Sequence, residues 1–97
     1  MVMTRAAPRT IVFAVRGPIA RADLPGLSER VCALFARTVA SVAYCDVAGV
    51  PADAVTVDAL ARLQLVAHRY GCSVRLRNAS PELRELVRFM GLRDVLP

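Results

Sequence analysis

Ser41-Val-Ala-Tyr-Cys-Asp-Val47, running through Ala48-Gly-Val-Pro-Ala52 into Asp53-Ala-Val-Thr56, decides the fold of this chain. The first seven residues are mostly apolar or β-branched and read as a strand, Gly49 and Pro51 close it, and Asp53 stands where a helix begins. A loop and a helix N-terminus at the end of a buried strand form a recurrent place for a binding or regulatory site in α/β proteins.

The pattern continues in both directions. Upstream, Ile11-Val-Phe-Ala-Val15 reads as a short buried strand closed by Arg16-Gly-Pro18. Leu24, Leu27, Val31, Leu34 and Phe35 then share one face of a helix predicted over residues 24–37, with Asp23 as N-cap and Pro25 in its first turn. The central strand is expected over residues 39–47 and, being continuously apolar, buried on both faces, with Asp46 as the exception. Downstream, a helix is expected over residues 54–70, with Leu60, Leu63, Ala67 and Tyr70 on its inner stripe, Asp53 as N-cap and Gly71 as the left-handed residue that stops it. Ser73 to Arg77 alternates as a third strand. Ser80 as N-cap, Pro81 at the first helical position, Glu82 and Glu85 near the positive end, and Leu83, Leu86, Val87 and Met90 on one face define the last helix, which Gly91 ends with Leu92 folding back. Strands alternating with helices predict a single α/β domain over residues 1–97, with a mixed, mainly parallel sheet and about three main helices packed on it. Residues 1–9 read as a leader, either a short edge strand or a flexible arm.

Composition narrows the function classes. A chain 56% hydrophobic but only 5% aromatic, without Trp, builds its core from Val, Leu, Ile and Ala, and disorder is excluded. No apolar run approaches the roughly 20 residues of a membrane span, and residues 1–10 hold no stretch of signal-peptide length, so a cytoplasmic location is expected. The net charge of +5 comes from arginines spread along the whole chain, several at helical spacing from a carboxylate, as in Asp58 with Arg62 and Glu85 with Arg88. Such spacing describes solvated helix faces better than a nucleic-acid footprint. Cys32, Cys45 and Cys72 form no Cys-x-x-Cys and read as thiols of a packed interior, while His68 and Cys72 offer two ligands where a structural zinc needs four. No nucleophile and base stand at meaningful spacing and no Gly-rich phosphate loop occurs. Catalytic residues, metal and cofactor are therefore all expected to be none.

Several joints of the chain resemble the STAS domain, the fold of bacterial anti-sigma factor antagonists and of sulfate transporter tails. Gly17-Pro-Ile-Ala-Arg-Ala-Asp-Leu-Pro25 is similar to the family's Gly-Glu-Leu-Asp loop, Asp46-Val-Ala-Gly-Val50 to its Asp-Leu-Ser-Gly-Val, and Arg75-Leu-Arg-Asn-Ala-Ser80 with Leu86, Gly91-Leu92 and Val95-Leu-Pro97 to its last strand and closing helix. In antagonists of the family the second helix opens with Asp-Ser-Ser-Gly or Asp-Ser-Thr-Gly, whose first Ser is phosphorylated by a partner kinase. Counting back from Gly71, the equivalent segment is Asp53-Ala54-Val55-Thr56: the Asp matches, Ala54 replaces the acceptor, and Thr56, on the family's Gly position, is the one hydroxyl left nearby. Ala20 stands where the family's loop carries its acidic residue.

The resemblance implies a non-enzymatic interaction module that binds an anti-sigma factor or a serine kinase-like regulator through Asp53, Ala54, Val55 and Thr56, with Ala20 and Val57 on the partner face and at least one of Val55 and Val57 exposed. Thr56 is the candidate displaced phosphoacceptor. The alternatives are a domain sensing a nucleotide or lipid near Asp53, and a nucleic-acid binder using its arginines.

Overall fold

A computed structural model describes residues 10–37 and 39–96. Residues 1–9, expected as a leader, and Pro97, expected in the closing segment, lie outside the described residues. The elements follow as strand β1 (Thr10–Ala14), a single 3-10 turn (Arg21–Asp23), helix α1 (Leu24–Ala36), β2 (Val42–Asp46), α2 (Ala54–Arg69), β3 (Ser73–Arg77) and α3 (Pro81–Phe89). Within the described residues the sheet is parallel throughout, in the order β1-β2-β3, rather than mixed.

The strand order explains how the layers form. Each crossover steps to the next strand in the same direction, and right-handed crossovers of that kind put their helices on one face of the sheet. Register aligns Ile11 with Ala43 and Val74, and Phe13 with Cys45 and Leu76, on the covered face. Those rows meet Val31 and Phe35 of α1, Leu60, Leu63 and Ala67 of α2, and Leu83 and Val87 of α3 in one core. The other rows, such as Val12, Tyr44 and Arg75, carry no helix among the described residues.

This one-sided packing corrects two expectations. β2 is not buried on both faces: Ala43 and Cys45 are enclosed, but Val42, Tyr44 and Asp46 are only partly covered. The guanidinium of Arg77 sits 4.6 Å above the Tyr44 ring and supplies part of that cover. β1, expected to be buried, is the edge of the described sheet, and Val12 is 57% exposed. The strand expected to begin at Val39 begins at Val42, and Val39 is exposed.

Helix ends match the sequence more closely. The Asp53 and Ser80 side chains each cap their helix, accepting from the N–H of Thr56 at 2.8 Å and of Leu83 at 3.1 Å. Gly71 and Gly91 both adopt positive φ, and the following N–H groups, of Cys72 and Leu92, reach back to Ala67 and Val87 at 2.9 Å. Asp23 does not cap α1: its backbone is already helical, and its carboxylate accepts from the Ala20 N–H at 3.0 Å, one turn earlier. The 3-10 turn ahead of α1 moved the cap back. Tyr70, expected on the inner stripe, is the C-cap of α2 and partly exposed, stacked on Phe35 with its hydroxyl 3.1 Å from Cys32 Sγ. Met90 likewise ends α3 at the surface.

Candidate partner-binding surface

All three helices start at the C-terminal edge of the sheet, as a parallel βα arrangement requires. The β1–α1 loop and the loop before α2 meet there. Gly17 is needed at that meeting, since a Cβ on it would lie 2.6 Å from Pro51 Cδ. Arg21, next to Ala20, reaches Asp58 of α2 at 3.6 Å, and Asp58 also holds Arg62 at 3.2 Å. Ala20 and the first turns of α2, distant in sequence, therefore flank one surface.

At the centre of that surface, Asp53 and Ala54 are exposed and Val55 is half-buried. The Thr56 N–H, and secondarily its hydroxyl, hold the Asp53 carboxyl below the usual aspartate range. That hydroxyl is fully buried and, among the described residues, meets no partner at ordinary hydrogen-bond geometry. The candidate displaced acceptor is therefore enclosed in the core rather than presented at the surface. Val57 is also completely buried, against the core, and does not belong to the partner face. Both departures have one cause: the 3.6-residue period that exposes Ala54 turns Thr56 and Val57 toward the sheet.

Asp46, at the end of β2, accepts from the Ala48 N–H at 3.0 Å and from Asn78 Nδ2 at 3.3 Å, and these bonds, the Ala48 one foremost, lower its pKa. It pins the loop that leads to α2 to the end of β3. Asn78 follows β3 directly in the left-handed conformation, which a short polar side chain tolerates.

Two features of the molecule escaped the reading of the sequence. Phe89, on α3, is 86% exposed, and with Pro81, Leu86 and Ala52 it lines a shallow concavity edged by Glu82 and Glu85. Its position off the stripe of Leu83, Leu86 and Val87 was the available signal, because an aromatic off the apolar stripe of an amphipathic helix has no core role to play. The second feature is Gln64, buried on α2, whose amide is spent wholly on backbone: Oε1 accepts from the Val74 N–H at 2.7 Å, and Nε2 donates to the carbonyls of Val74 at 3.0 Å and Val95 at 2.7 Å. Among the described residues no group of three or more His, Cys, Asp or Glu side chains gathers as a metal site, and no helix is long and apolar enough to cross a membrane.

A family model described as "Mlab, STAS domain" matches residues 2–97. No curated protein matches the chain.

Proposed function

The chain belongs to the STAS domain family, and from that premise we propose that it is a non-enzymatic, cytoplasmic protein-interaction module of bacterial regulation, antagonist-like but without the serine acceptor. The observation that carries the reading is an accessible first turn of α2 with no hydroxyl to modify: Ala54 is exposed where the family's serine stands, and the hydroxyl of Thr56 is enclosed. A phosphate there adds between one and two negative charges at the head of a helix. Lacking an acceptor, this surface keeps one charge state, and its partner, an anti-sigma factor or serine kinase-like regulator, meets it in the binding-competent form whatever the kinase activity of the cell. The apolar residues beside it, Phe89 above all, support a protein as the occupant, since exposed aromatics flanked by polar groups are common anchors of interfaces.

The test begins by recovering the partner from the source cell on immobilised protein and identifying it by mass spectrometry. Ala54→Asp, a stand-in for the missing phosphate, and Phe89→Ser are both surface changes and leave folding intact. Each is expected to weaken the identified partner at least tenfold, about 1.4 kcal/mol. Unchanged affinity in both would move the interface elsewhere. A kinase that modifies ordinary antagonists is expected to leave the wild type unmodified and to accept Ala54→Ser, and phosphate on Thr56 of the native chain would count against the whole reading.

A further inference from the structure

The outer edge of β3, one face of α3 and the segment of residues 91–96 surround a cavity of about 420 Å³. Its floor is apolar, made of Leu76, Val87 and Leu96. Its rim is basic. Arg84 and Arg88 stand four residues apart on α3, hence on one side of that helix, and Arg93 faces them from the closing segment. Against these three guanidiniums the lining has one carboxylate, Glu85, leaving an excess of two positive charges. Glu85 lies 3.9 Å from Arg88, with both side chains well exposed, so it neutralises little. Arg84 and Arg93 make no ion pair among the described residues.

The backbone adds a second polar element. In a parallel edge strand alternate residues point their N–H and C=O away from the sheet. In β3 these are Val74, which Gln64 satisfies on both counts, and Leu76, for which no described side chain does the same. Leu76 is the residue that lines the cavity.

We infer that this cavity is a binding site for an amphiphilic anion, a small molecule whose carboxylate or phosphate head is held by Arg84, Arg88 and Arg93 and whose apolar portion lies on Leu76, Val87 and Leu96. The guanidinium fork matches either head with paired, charge-assisted hydrogen bonds. The volume is in the range of small-molecule sites, and an apolar floor with a few convergent polar groups is their usual make-up. A purely inorganic anion leaves that floor wet. A nucleic acid asks for an extended basic track and aromatic stacking platforms, and the cavity offers a single concavity without an aromatic ring. The site adjoins the concavity under Phe89, sharing Pro81 and Glu85 with it, but its three arginines and its apolar floor of Leu76, Val87 and Leu96 belong to it alone.

The experiment is calorimetric titration of the intact protein with monomeric decanoate, decyl phosphate and inorganic phosphate, with sedimentation against phosphatidylglycerol vesicles in parallel. Saturable binding of one decyl chain per protein is expected, with inorganic phosphate at least tenfold weaker. Whether decanoate or decyl phosphate binds more tightly identifies the head group, and either result supports the site. The double variant Arg84→Gln, Arg88→Gln is expected to weaken the decyl ligand at least tenfold while the melting temperature of the free protein is unchanged, and Arg93→Gln to act in the same direction. Three outcomes overturn the inference: inorganic phosphate binding as well as decyl phosphate, full affinity retained in the double variant, or binding to vesicles with none to the monomers. Displacement of decyl phosphate by an Asp- and Glu-rich peptide of equal affinity would also overturn it, in favour of a protein-docking surface.

Discussion

At the scale of single residues, hydrogen bonds from backbone amides set the behaviour of the two aspartates that frame the α2 loop. Asp46 and Asp53 both have folded-state pKa values below the ordinary one, mainly because the Ala48 and Thr56 N–H groups stabilise the carboxylate. A lowered folded pKa means that the unfolded chain binds protons first as the pH drops. Their contribution to stability is thus complete above the usual aspartate pKa of about 3.9 and is lost as pH falls through the depressed folded values. Asp53→Asn keeps a capping side chain but cannot titrate, so its urea midpoint is expected to fall less between about pH 5 and pH 2 than that of the wild type. Equal slopes would show that the cap does not depend on charge. The thiols offer a separate check. Burial, helped by the neighbouring Asp46, pushes Cys45 up to about 12, and Cys72 is buried too, whereas Cys32 is partly open beside Tyr70. Thiolate and access both govern reactivity, so a thiol reagent at neutral pH is expected to modify Cys32 first and to reach Cys45 only after unfolding. Rapid labelling of all three in the native protein would contradict the packing around β2.

At the scale of elements, Gln64 shows how a helix finishes a sheet. β3 is the edge of the described sheet, and an open edge leaves hydrogen-bonding groups to recruit other strands. By placing an amide against Val74, α2 occupies that position of the edge as a strand would, and with the same side chain ties down the closing segment through Val95. Gln64→Leu keeps the volume but strands the buried N–H of Val74. The expected cost is about 1–3 kcal/mol. Faster hydrogen exchange confined to Val74 and the segment of residues 91–96 is the local signature to look for, and a variant as stable and as protected as the wild type would remove Gln64 from this role. Two of the three helix starts illustrate the opposite case, in which local chemistry is sufficient. Ser80 and Asp53 cap as their sequence context demands, whereas Asp23 does not, because the extra 3-10 turn places the first free amide at Ala20 instead.

At the scale of the whole molecule, one core shared by the sheet and three helices holds the fold. Leu60, Leu63 and Leu83 are fully buried, as their stripes predict, along with Val31, while Leu27 and Leu86 at the margins are half-covered. Leu63→Ala is expected to cost about 2–5 kcal/mol as a cavity-forming change. In a domain of this length each kcal/mol lowers the melting temperature by about 4–8 °C, so the loss is readable by calorimetry. A drop of only a degree or two would mean that α2 is turned differently on the sheet.

Periodicity, caps and glycine stops were sufficient to place three strands and three helices in order, and the joints between them were sufficient for the family, because these signals are local or repeat within a turn of the chain. That Ala54, a residue without a hydroxyl, follows the capping Asp53 was also legible, since it needs only the order of residue types. What sequence could not express was which side of each element faces the rest. The apolar run of β2 looks equally fit to be buried on both faces, yet successive crossovers in one direction cover one face and leave Tyr44 to be shielded by Arg77. Thr56 and Val57 read as surface candidates, yet the phase of α2 on the sheet encloses both and makes Ala54 the accessible position. Gln64 and the arginines around Leu76 gain their meaning from partners on other elements, brought close by packing alone. Local propensity acts over a few residues, but burial is a property of the assembled layers, and only the tertiary structure decides it.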